Sequence, residues 1–453
     1  MTSIAKSDFD SISKFQNELH TTTDDTQTIE SIFMYEFRKI TWYTMIPMKL
    51  SPSVGEDDGI SYIVNNTFHY LIYTDMRQQL PAIKVKPEYK GKVKIAWCHN
   101  IGSNIFTQGE FLIEDESLNT ISNVWCDIYF QAYMTPGFRE HHDKGIGNLP
   151  FLEGWNDSLP EYITNVNQPF YYSKSTNLAF PIFLASTQSI IKHKYLLRKK
   201  ISSLLRMIKT DDEGKTWKQI PYDYSYLDNV TKDQTLKNPE LWARYGYISS
   251  GEMGATRCHD TLSFYIDDIV TCSNDSAYGY KSTSTVELQS IYPCKAMFWV
   301  AENLEATGNN NYSNYTTNSN NLYKGWNPCR KINLKYGDLF RLKEMDADHF
   351  DIGEYRKHFP SPPSEPGFNA YSFAYNSASV DGEVGIVFYS LKAKLLIDIR
   401  EYDIEQTDNN NLIKNNTQFK THVILLVTKR LVVEKSSSGN YKFSTEPSPL
   451  QNN

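Results

Sequence analysis

The sequence predicts an all-β protein built from two tandem sandwiches, and three observations support this expectation. The chain has 453 residues, which is too long for one ordinary sandwich and suits two domains of about 100–200 residues each. Aromatic residues make up 14% of the chain, with 31 Tyr and 23 Phe, and these residue types favour half-buried strands. Many short apolar runs are separated by turn-forming residues, a pattern typical of β-sandwiches and jelly rolls.

Individual strands are predicted where side chains alternate, or where a short apolar run is bounded by turn residues. The predicted strands are residues 93–97, 124–133, 180–184, 190–197, 285–291, 296–301, 385–391, 395–399, 423–427 and 431–433. Residues 296–301 are apolar on both faces, which predicts a strand buried between two layers. Short helical inserts are predicted within residues 136–147 and 336–350.

The chain divides into four predicted regions. Residues 1–30 are polar and lack apolar periodicity, so we expect a flexible N-terminal arm. Residues 31–257 and 258–446 should each form one sandwich, and residues 447–453 form a C-terminal tail. Both halves run through strands, a short helical insert and more strands, which is compatible with a distant duplication. The long polar loop at residues 302–321 is expected to lie on the outer surface.

The charge of the chain argues against nucleic-acid binding. Net charge is -7 at pH 7, whereas a protein that wraps nucleic acid needs a basic face or arm. The densest basic run, residues 192–200, is interrupted by apolar residues and is interpreted as a solvated strand end. We therefore expect no direct nucleic-acid partner.

Cysteine usage and hydropathy indicate a soluble protein made in the cytoplasm. The six cysteines, at positions 98, 126, 258, 272, 294 and 329, are widely spaced and form no C-x-x-C pair. This spacing is typical of free thiols in a reducing compartment. No stretch approaches about 18 consecutive apolar residues, so no membrane-spanning helix is predicted.

Motifs for catalysis, metal binding and cofactor binding are missing from the sequence, so we expect no enzyme activity, no metal and no cofactor. The triplet His-His-Asp at 141–143 could contribute to a metal site, but adjacent side chains point in different directions. A solvated helix is the simpler interpretation. The Cys-His pairs at 98–99 and 258–259 could each be half of a nucleophilic pair. Neither has a supporting motif, which favours a structural thiol.

Seven N-x-[ST] triplets occur in a chain that is rich in Asn, Ser and Thr, so chance explains most of them. Asn311 and Asn314 fall within the polar loop that we expect to be exposed. If the protein carries N-linked glycans, these two residues are the candidate acceptors.

Three stretches in the second half follow one recognisable order. Residues 281–303 end in Cys-Lys-Ala-Met-Phe-Trp-Val-Ala-Glu-Asn, and residues 369–376 read Asn-Ala-Tyr-Ser-Phe-Ala-Tyr-Asn. Residues 423–427 and 431–433 then form a closing apolar pair. This order resembles the C-terminal jelly roll of the major capsid proteins of nucleocytoplasmic large DNA viruses, the group of the iridoviruses and African swine fever virus.

The first half resembles the same family more faintly, through residues 94–102 and 177–181. One departure lies at residues 380–385, which read Val-Asp-Gly-Glu-Val-Gly. The family commonly has Pro-Ser-Gly followed by an Asn-Phe motif there, and only the turn glycine survives. The expectation therefore includes a divergent relative, such as a virophage-like or polinton-like homologue.

The resemblance implies a double jelly roll that acts as a structural shell protein of the virion. Three chains would close into a pseudo-hexagonal capsomer, and such capsomers tile an icosahedral shell that is assembled in the host cytoplasm, in a virus factory. Partners would be neighbouring capsomers, minor capsid and penton proteins, and an internal membrane. The candidate residues for the trimer interface are Trp125, Tyr129, Tyr133, Trp155, Phe170, Tyr323, Trp326 and Tyr371.

Two other functions remain open at this point. A minor capsid or scaffold protein could have the same fold without a place as the main shell subunit. A carbohydrate-binding β-protein would use the aromatic side chains as stacking platforms for sugars and would be monomeric.

Overall fold

A computed structural model describes residues 43–54, 59–185, 189–212, 214–257, 260–272, 275–377, 385–388, 391–400, 417–435 and 441–446. The predicted arm, the predicted tail, the Cys-His pair at 258–259 and residues 378–384 lie outside the described residues.

The strands of the first half extend from residue 43 to residue 248. They are β1 (Tyr43–Lys49), β2 (Ser51–Val54), β3 (Gly59–Ile63), β4 (Tyr70–Leu80), β5 (Ile83–Lys84), β6 (Val93–Trp97), β7 (Phe106–Ile113), β8 (Glu116–Ser122), β9 (Ser158–Leu159), β10 (Tyr162–Asn167), β11 (Ile191–Leu197), β12 (Leu205–Lys209), β13 (Lys218–Ile220) and β14 (Glu240–Ile248).

The strands of the second half begin at residue 261. They are β15 (Thr261–Thr271), β16 (Ala277–Tyr278), β17 (Thr283–Leu288), β18 (Cys294–Asn303), β19 (Cys329–Tyr336), β20 (Leu339–Asp346), β21 (Asn369–Ser372), β22 (Ala393–Ile399), β23 (Phe419–Lys435) and β24 (Tyr441–Glu446).

Each half forms a sandwich of two antiparallel sheets, and the strand order is the same in both halves. In the first half the sheets are β1-β14-β4-β10 and β3-β11-β7-β8, with β2 added beside β3. In the second half they are β15-β23-β18-β21 and β17-β22-β19-β20. When the eight shared strands are counted in chain order, both halves have sheets of order 1-8-3-6 and 2-7-4-5. Eight antiparallel strands in this order form a jelly roll, so the prediction of two tandem jelly rolls is confirmed.

Helices are short and lie in the connections between strands. Those within the described residues are α1 (Ile101–Asn104), α2 (Asn123–Tyr133), α3 (Pro136–Ile146), α4 (Pro150–Glu153), α5 (Ser250–Arg257), α6 (Leu304–Gly308) and α7 (Glu354–His358), which follows a π turn at His349–Gly353. Single 3-10 turns occur at Pro87–Tyr89, Tyr171–Ser173, Thr176–Leu178, Ile182–Leu184, Ile201–Ser203, Tyr224–Tyr226 and Leu322–Lys324. The helix predicted within 136–147 is confirmed as α3.

The prediction of a strand at residues 124–133 was wrong, because this segment is helix α2. The side chain of Ser122 accepts a hydrogen bond from the backbone N–H of Trp125 and so caps the helix. Trp125 and Ile128, three positions apart, are both buried on one face. The aromatic content of the segment concealed this helical spacing.

Three further predictions of elements were wrong. Within the predicted strand 180–184, Phe180 makes a single bridge to Leu71 and Ile182–Leu184 form a 3-10 turn, since Pro181 has no N–H to donate to a ladder. Residues 336–346 form the hairpin β19–β20 rather than a helix, with Gly337 at a φ of +57° in its two-residue turn. Of the strand predicted at 385–391, the described residues 385–388 contain only a single bridge, from Ile386 to Cys294.

Strand β18 is buried on both faces, as residues 296–301 predicted. Ala296, Phe298 and Val300 face the apolar cluster that also contains residues of the first sandwich. Met297, Trp299 and Ala301 face the interior of the second sandwich. Neighbouring β23 divides in the same way, since Ile424 and Leu426 belong to the first cluster while Leu425 and Val427 belong to the second. This sheet therefore serves two cores at once.

Truncation of either face of β18 should destabilise the protein. Phe298→Ala and Trp299→Ala should each lower the free energy of unfolding by about 3–5 kcal/mol, since each leaves a cavity in a closed core. Tyr375→Ala is the control, because this ring is 85% exposed, and it should leave stability unchanged. Urea unfolding measures all three variants. If Phe298→Ala behaves like the control, the outer face of β18 does not pack against the first sandwich.

Candidate functional site: the seam between the two sandwiches

The seam is the contact between α2 of the first sandwich and the outer face of the β15-β23-β18-β21 sheet. The Trp125 and Phe298 rings meet edge to face, with centroids 5.7 Å apart. The centroid of the Tyr133 ring lies 6.2 Å from that of Phe298 and 5.7 Å from that of Phe359. Aromatic pairs in this geometry contribute beyond their buried area, so the apolar part of the seam holds a defined orientation between the two sandwiches.

A buried ionic cluster centred on Asp267 of β15 also crosses the seam. Its carboxylate accepts a hydrogen bond from Lys174 of the first sandwich at 2.8 Å and lies 2.9 Å from the ammonium of Lys295. Burial alone would raise the pKa of Asp267, but the two lysines outweigh burial and hold its pKa below the ordinary value. Because Lys295 is only 2% exposed, the loss of Asp267 would remove a carboxylate that neutralises a buried charge.

Asp268, the next residue, points back toward the first sandwich. Its carboxylate accepts hydrogen bonds from the side-chain amide of Asn119 at 2.8 Å and the backbone N–H of Thr120 at 2.9 Å. It also pairs with Lys429 of β23. The Oδ1 atom of Asn119 accepts a hydrogen bond from the backbone N–H of Tyr171 at 3.0 Å. Two consecutive acids of one strand therefore anchor β15 to separate segments of the first sandwich.

His99 forms a second ionic link across the seam. Its Nδ1 lies 2.7 Å from Glu153 and its Nε2 lies 3.1 Å from Glu365, which belongs to the proline-rich segment of the second half. Burial of the ring lowers the pKa of His99, but the two carboxylates outweigh burial and raise it to about 10. The imidazole is therefore protonated near neutral pH and joins two carboxylates from different halves.

Asp127 of α2 completes the polar part of the seam. It accepts hydrogen bonds from the side chains of Asn100 at 2.7 Å and Tyr315 at 2.8 Å. Burial raises its pKa to about 6, although the hydrogen bonds act in the opposite direction.

The loop at residues 302–321 was expected on the outer surface, and this prediction was wrong. Its Asn310 side chain donates to the carbonyls of Ser202 at 2.7 Å and Leu205 at 2.8 Å. The Tyr312 hydroxyl donates to the Ser203 carbonyl at 2.9 Å. Its abundant Asn, Ser and Thr side chains satisfy buried backbone groups rather than water, so the loop clasps the first sandwich.

The two candidate glycosylation sites lie in this clasping loop and are buried. Asn311 is 2% exposed and Asn314 is fully enclosed. The Asn314 side chain accepts from the Thr316 N–H at 3.0 Å and donates to the Asn318 carbonyl at 2.8 Å. The expectation that these residues are exposed acceptors was wrong, since a glycan would not fit on either of them in the folded chain.

The candidate residues for the trimer interface fall into two groups. Trp125 and Phe170 are 2% and 0% exposed, and Tyr129 and Tyr133 pack against the same apolar cluster. Trp125 and Phe170 are enclosed within one chain, so their assignment to a contact between chains was wrong. Tyr129 and Tyr133 are half-buried and stay candidates. Trp155 and Tyr371 are half-buried, while Tyr323 and Trp326 are 62% and 53% exposed.

Of the residues considered for catalysis or metal binding, Cys98, His99 and His142 have structural contacts. Burial raises the pKa of Cys98 to about 12, and the adjacent His99 bonds Glu153 and Glu365. The centroids of the His142 and Phe130 rings lie 3.9 Å apart with the rings tilted, and burial lowers the pKa of His142 to about 4. Among the described residues, no group of three His, Cys, Asp or Glu side chains is arranged to hold a metal ion. None of the helices described here has the length and apolar character that a membrane crossing requires.

The buried ions of the seam were missed from the sequence, although a signal was present. Asp267 and Asp268 interrupt the apolar strand Ile266–Val270, and Lys295 opens an apolar run. A charged residue inside a strand that is buried on both faces needs a counter-ion in the fold. The sequence alone does not identify the counter-ion, because Lys174 lies 93 positions from Asp267.

Solved structures with the same architecture belong to viral capsids. The chain superposes on the capsid protein of a structure described as "PBCV-1 virus capsid, quasi-atomic model" with a TM-score of 0.67 and 13% identity, covering 91% of this chain and 99% of that one. The Faustovirus major capsid protein also gives a TM-score of 0.67 at 9% identity, covering 93% of this chain and 96% of that one. The class of fold is therefore the double jelly roll of viral capsid proteins.

Sequence comparisons give the family. Residues 31–248 match the family described as "Major capsid protein N-terminus", and residues 264–427 match "Large eukaryotic DNA virus major capsid protein". The major capsid protein of Wiseana iridescent virus is 23% identical over 377 residues, covering 78% of this chain and 76% of that protein. That of invertebrate iridescent virus 6 is 22% identical over 388 residues, covering 78% and 80%. The chain belongs to the family of major capsid proteins of large eukaryotic DNA viruses.

Removal of the Asp267 carboxylate should be far more costly than removal of an exposed carboxylate in a similar ion pair. Asp267→Ala should destabilise the protein by about 3–5 kcal/mol, because it removes the buried carboxylate that pairs with both Lys174 and Lys295. The matched control is Asp275→Ala. Asp275 also lies 2.8 Å from a lysine, Lys420, but its side chain is 99% exposed. The control should not change the urea midpoint, and equal effects of the two variants would contradict a buried ionic seam.

The contribution of His99 to the free energy of unfolding should decrease at high pH. The folded pKa of about 10 lies above the unfolded value of about 6.5, so the contribution is complete below about pH 6.5. It is then lost as pH rises toward about 10. The difference in free energy of unfolding between the wild type and His99→Gln should therefore shrink across this window. Urea titrations at several pH values test this, and a difference that stays constant would show that His99 is not held protonated.

Proposed function

We propose that the chain is the main building block of an icosahedral capsid and that it acts as a homotrimer. The observation that carries this proposal is the repeated strand order, 1-8-3-6 and 2-7-4-5, in two sandwiches fixed side by side by a buried seam. A cyclic trimer of such a chain would present six similar sandwiches in a ring. A ring of this kind is pseudo-hexagonal, which is the shape that tiles a flat facet.

The exposed aromatic residues support a subunit contact. Trp326 is 53% exposed and stacks with Arg400, whose Cζ lies 5.4 Å from the ring centroid. Trp and Arg are enriched at the centres of protein interfaces. An obligate trimer contact would bury roughly 2,000 Å² or more, of which Trp326 would be one anchor and half-buried Tyr371 another.

Other features of the proposal follow from the capsid role. We also propose that the first jelly roll ends at residue 257 and the second begins at residue 258, a division supported by the end of β14 at Ile248 and the start of β15 at Thr261. The partners are neighbouring capsomers, minor capsid and penton proteins, and an internal membrane surface, while nucleic acid is not contacted directly. Assembly takes place in a virus factory of the host cytoplasm, and the protein has no enzymatic activity.

A minor capsid or scaffold protein of the same fold is the second candidate. One of the relatives, at 21% identity over 387 residues, is a "Probable capsid protein 4" of Acanthamoeba polyphaga mimivirus, and it covers 66% of this chain. Abundance distinguishes the two functions, because a shell subunit should be the dominant protein of purified particles and a scaffold should be scarce in them.

The purified protein should be a trimer. Light scattering should give a mass near three times 52.3 kDa, and negative-stain micrographs should show hexagonal rings. Across a wide range of concentrations, a stable monomer would contradict the proposed function.

A charge placed at Trp326 should weaken the trimer. Trp326→Lys should reduce association by about tenfold or more, because an aromatic interface anchor typically contributes about 2 kcal/mol. The matched control is Tyr375→Lys, a similar change at a ring that is 85% exposed. Sedimentation at decreasing concentrations measures the shift. If both variants dissociate alike, Trp326 has no special place in the contact.

A further inference from the structure

A recess of about 300 Å³ opens beside the seam, where the clasping loop meets β12 and α4. Its lining includes Glu153, Trp155, Arg206, Asn311 and Tyr323. It therefore combines two aromatic rings with a cation, a carboxylate and an amide. Recesses with this mixture of apolar walls and a few polar groups are typical of small-ligand sites.

Arg206 is the first sign that the recess takes a ligand. Its side chain is 6% exposed, and its Cζ lies 4.8 Å from the centroid of the Trp155 ring. The guanidinium forms no hydrogen bond or ion pair with any residue that the structure describes, and its Nε is enclosed without a partner. An enclosed cation with unused donors is costly, so an acceptor in the recess would relieve this cost.

Asn311 is the second sign, and it comes from the opposite half of the chain. The residue is 2% exposed, and its backbone N–H is tied to the Ala306 carbonyl at 2.9 Å. Within the described part of the chain, its Oδ1 has no hydrogen-bond partner. Two residues in the wall of the recess thus have unused hydrogen-bonding groups, namely donors on Arg206 and an enclosed acceptor on Asn311. A hydroxyl group serves both, since it donates one hydrogen bond and accepts others.

The charges around the recess favour a neutral ligand over an anion. His99 bonds Glu153 and Glu365, and Arg206 supplies a second cation to balance the second carboxylate. An anion bound at Arg206 would add a third negative charge close to Glu153, which also lines the recess. Like charges at short range in a partly enclosed site repel strongly, so a neutral polar molecule fits better.

We propose that this recess binds one unit of a neutral saccharide, with its hydroxyls bonded to Arg206 and Asn311 and its apolar ring face against Tyr323. Tyr323 is 62% exposed, so its ring is free to stack on a ligand. Trp155 holds the Arg206 guanidinium in place from beneath. The proposal gives Tyr323 and Trp155 roles in ligand binding, Tyr323 by stacking on the sugar and Trp155 by supporting Arg206, rather than roles in the trimer contact. It does not depend on whether the protein is a trimer.

The direct test is binding of simple sugars to the full-length protein in its native assembly. Saturation-transfer NMR and calorimetry with glucose, galactose, mannose and N-acetylglucosamine should detect at least one binder. Acetate and phosphate serve as anionic probes and should not compete with it. The proposal is overturned if none of the four sugars binds, or if only the anions bind.

Two variants locate the site. Arg206→Met keeps the size of the side chain and removes its donors, and Tyr323→Ala removes the exposed stacking ring. Each should weaken sugar binding by about tenfold or more, while Tyr375→Ala should bind as the wild type does. Thermal unfolding checks that each variant is folded, and Tyr323→Ala preserves the test if Arg206→Met does not fold. Unchanged affinity in Tyr323→Ala would show that any sugar binds elsewhere.

Discussion

The burial of one sheet on both of its faces is the constraint on which the rest of the structure depends. Strands β18 and β23 place alternate side chains into the interior of the second sandwich and into the contact with the first. Two consecutive acids of β15, Asp267 and Asp268, then bind groups from the first sandwich. The apolar area supplies most of the favourable free energy. The ion pairs fix the orientation of the two sandwiches relative to each other, because a shift of one against the other would separate buried charges from their partners.

This constraint suits a protein of the capsid shell. A shell subunit must hold two domains in one fixed geometry, since errors in angle accumulate over a lattice. The clasping loop at residues 302–321 and the His99 link both serve this purpose, because each joins groups that lie far apart in the sequence. Polar groups that are enclosed and hydrogen-bonded favour a single arrangement of the two halves.

Length, composition, turn residues and periodicity were together enough to predict the class of fold, several strands and a helix within residues 136–147. It failed where local chemistry overrides periodicity. Ser122 starts a helix in an aromatic run, and Pro181 prevents a strand. It also failed for the seam, because composition does not distinguish a ring buried within one chain from a ring that meets another chain. Trp125 and Phe170 are examples. The Asn-rich loop looked exposed for the same reason, since polarity alone does not distinguish solvent from buried backbone as the partner.

Hydrogen exchange measured by mass spectrometry tests the shared sheet most directly. If β18 and β23 belong to both cores, their amides should exchange only through global unfolding, and α2 should open together with them. Protection of the two halves should then be lost in one step as urea is raised. Early exchange in α2 and in the outer sheet, with the second sandwich still protected, would show that the two sandwiches are independent domains joined only by the chain.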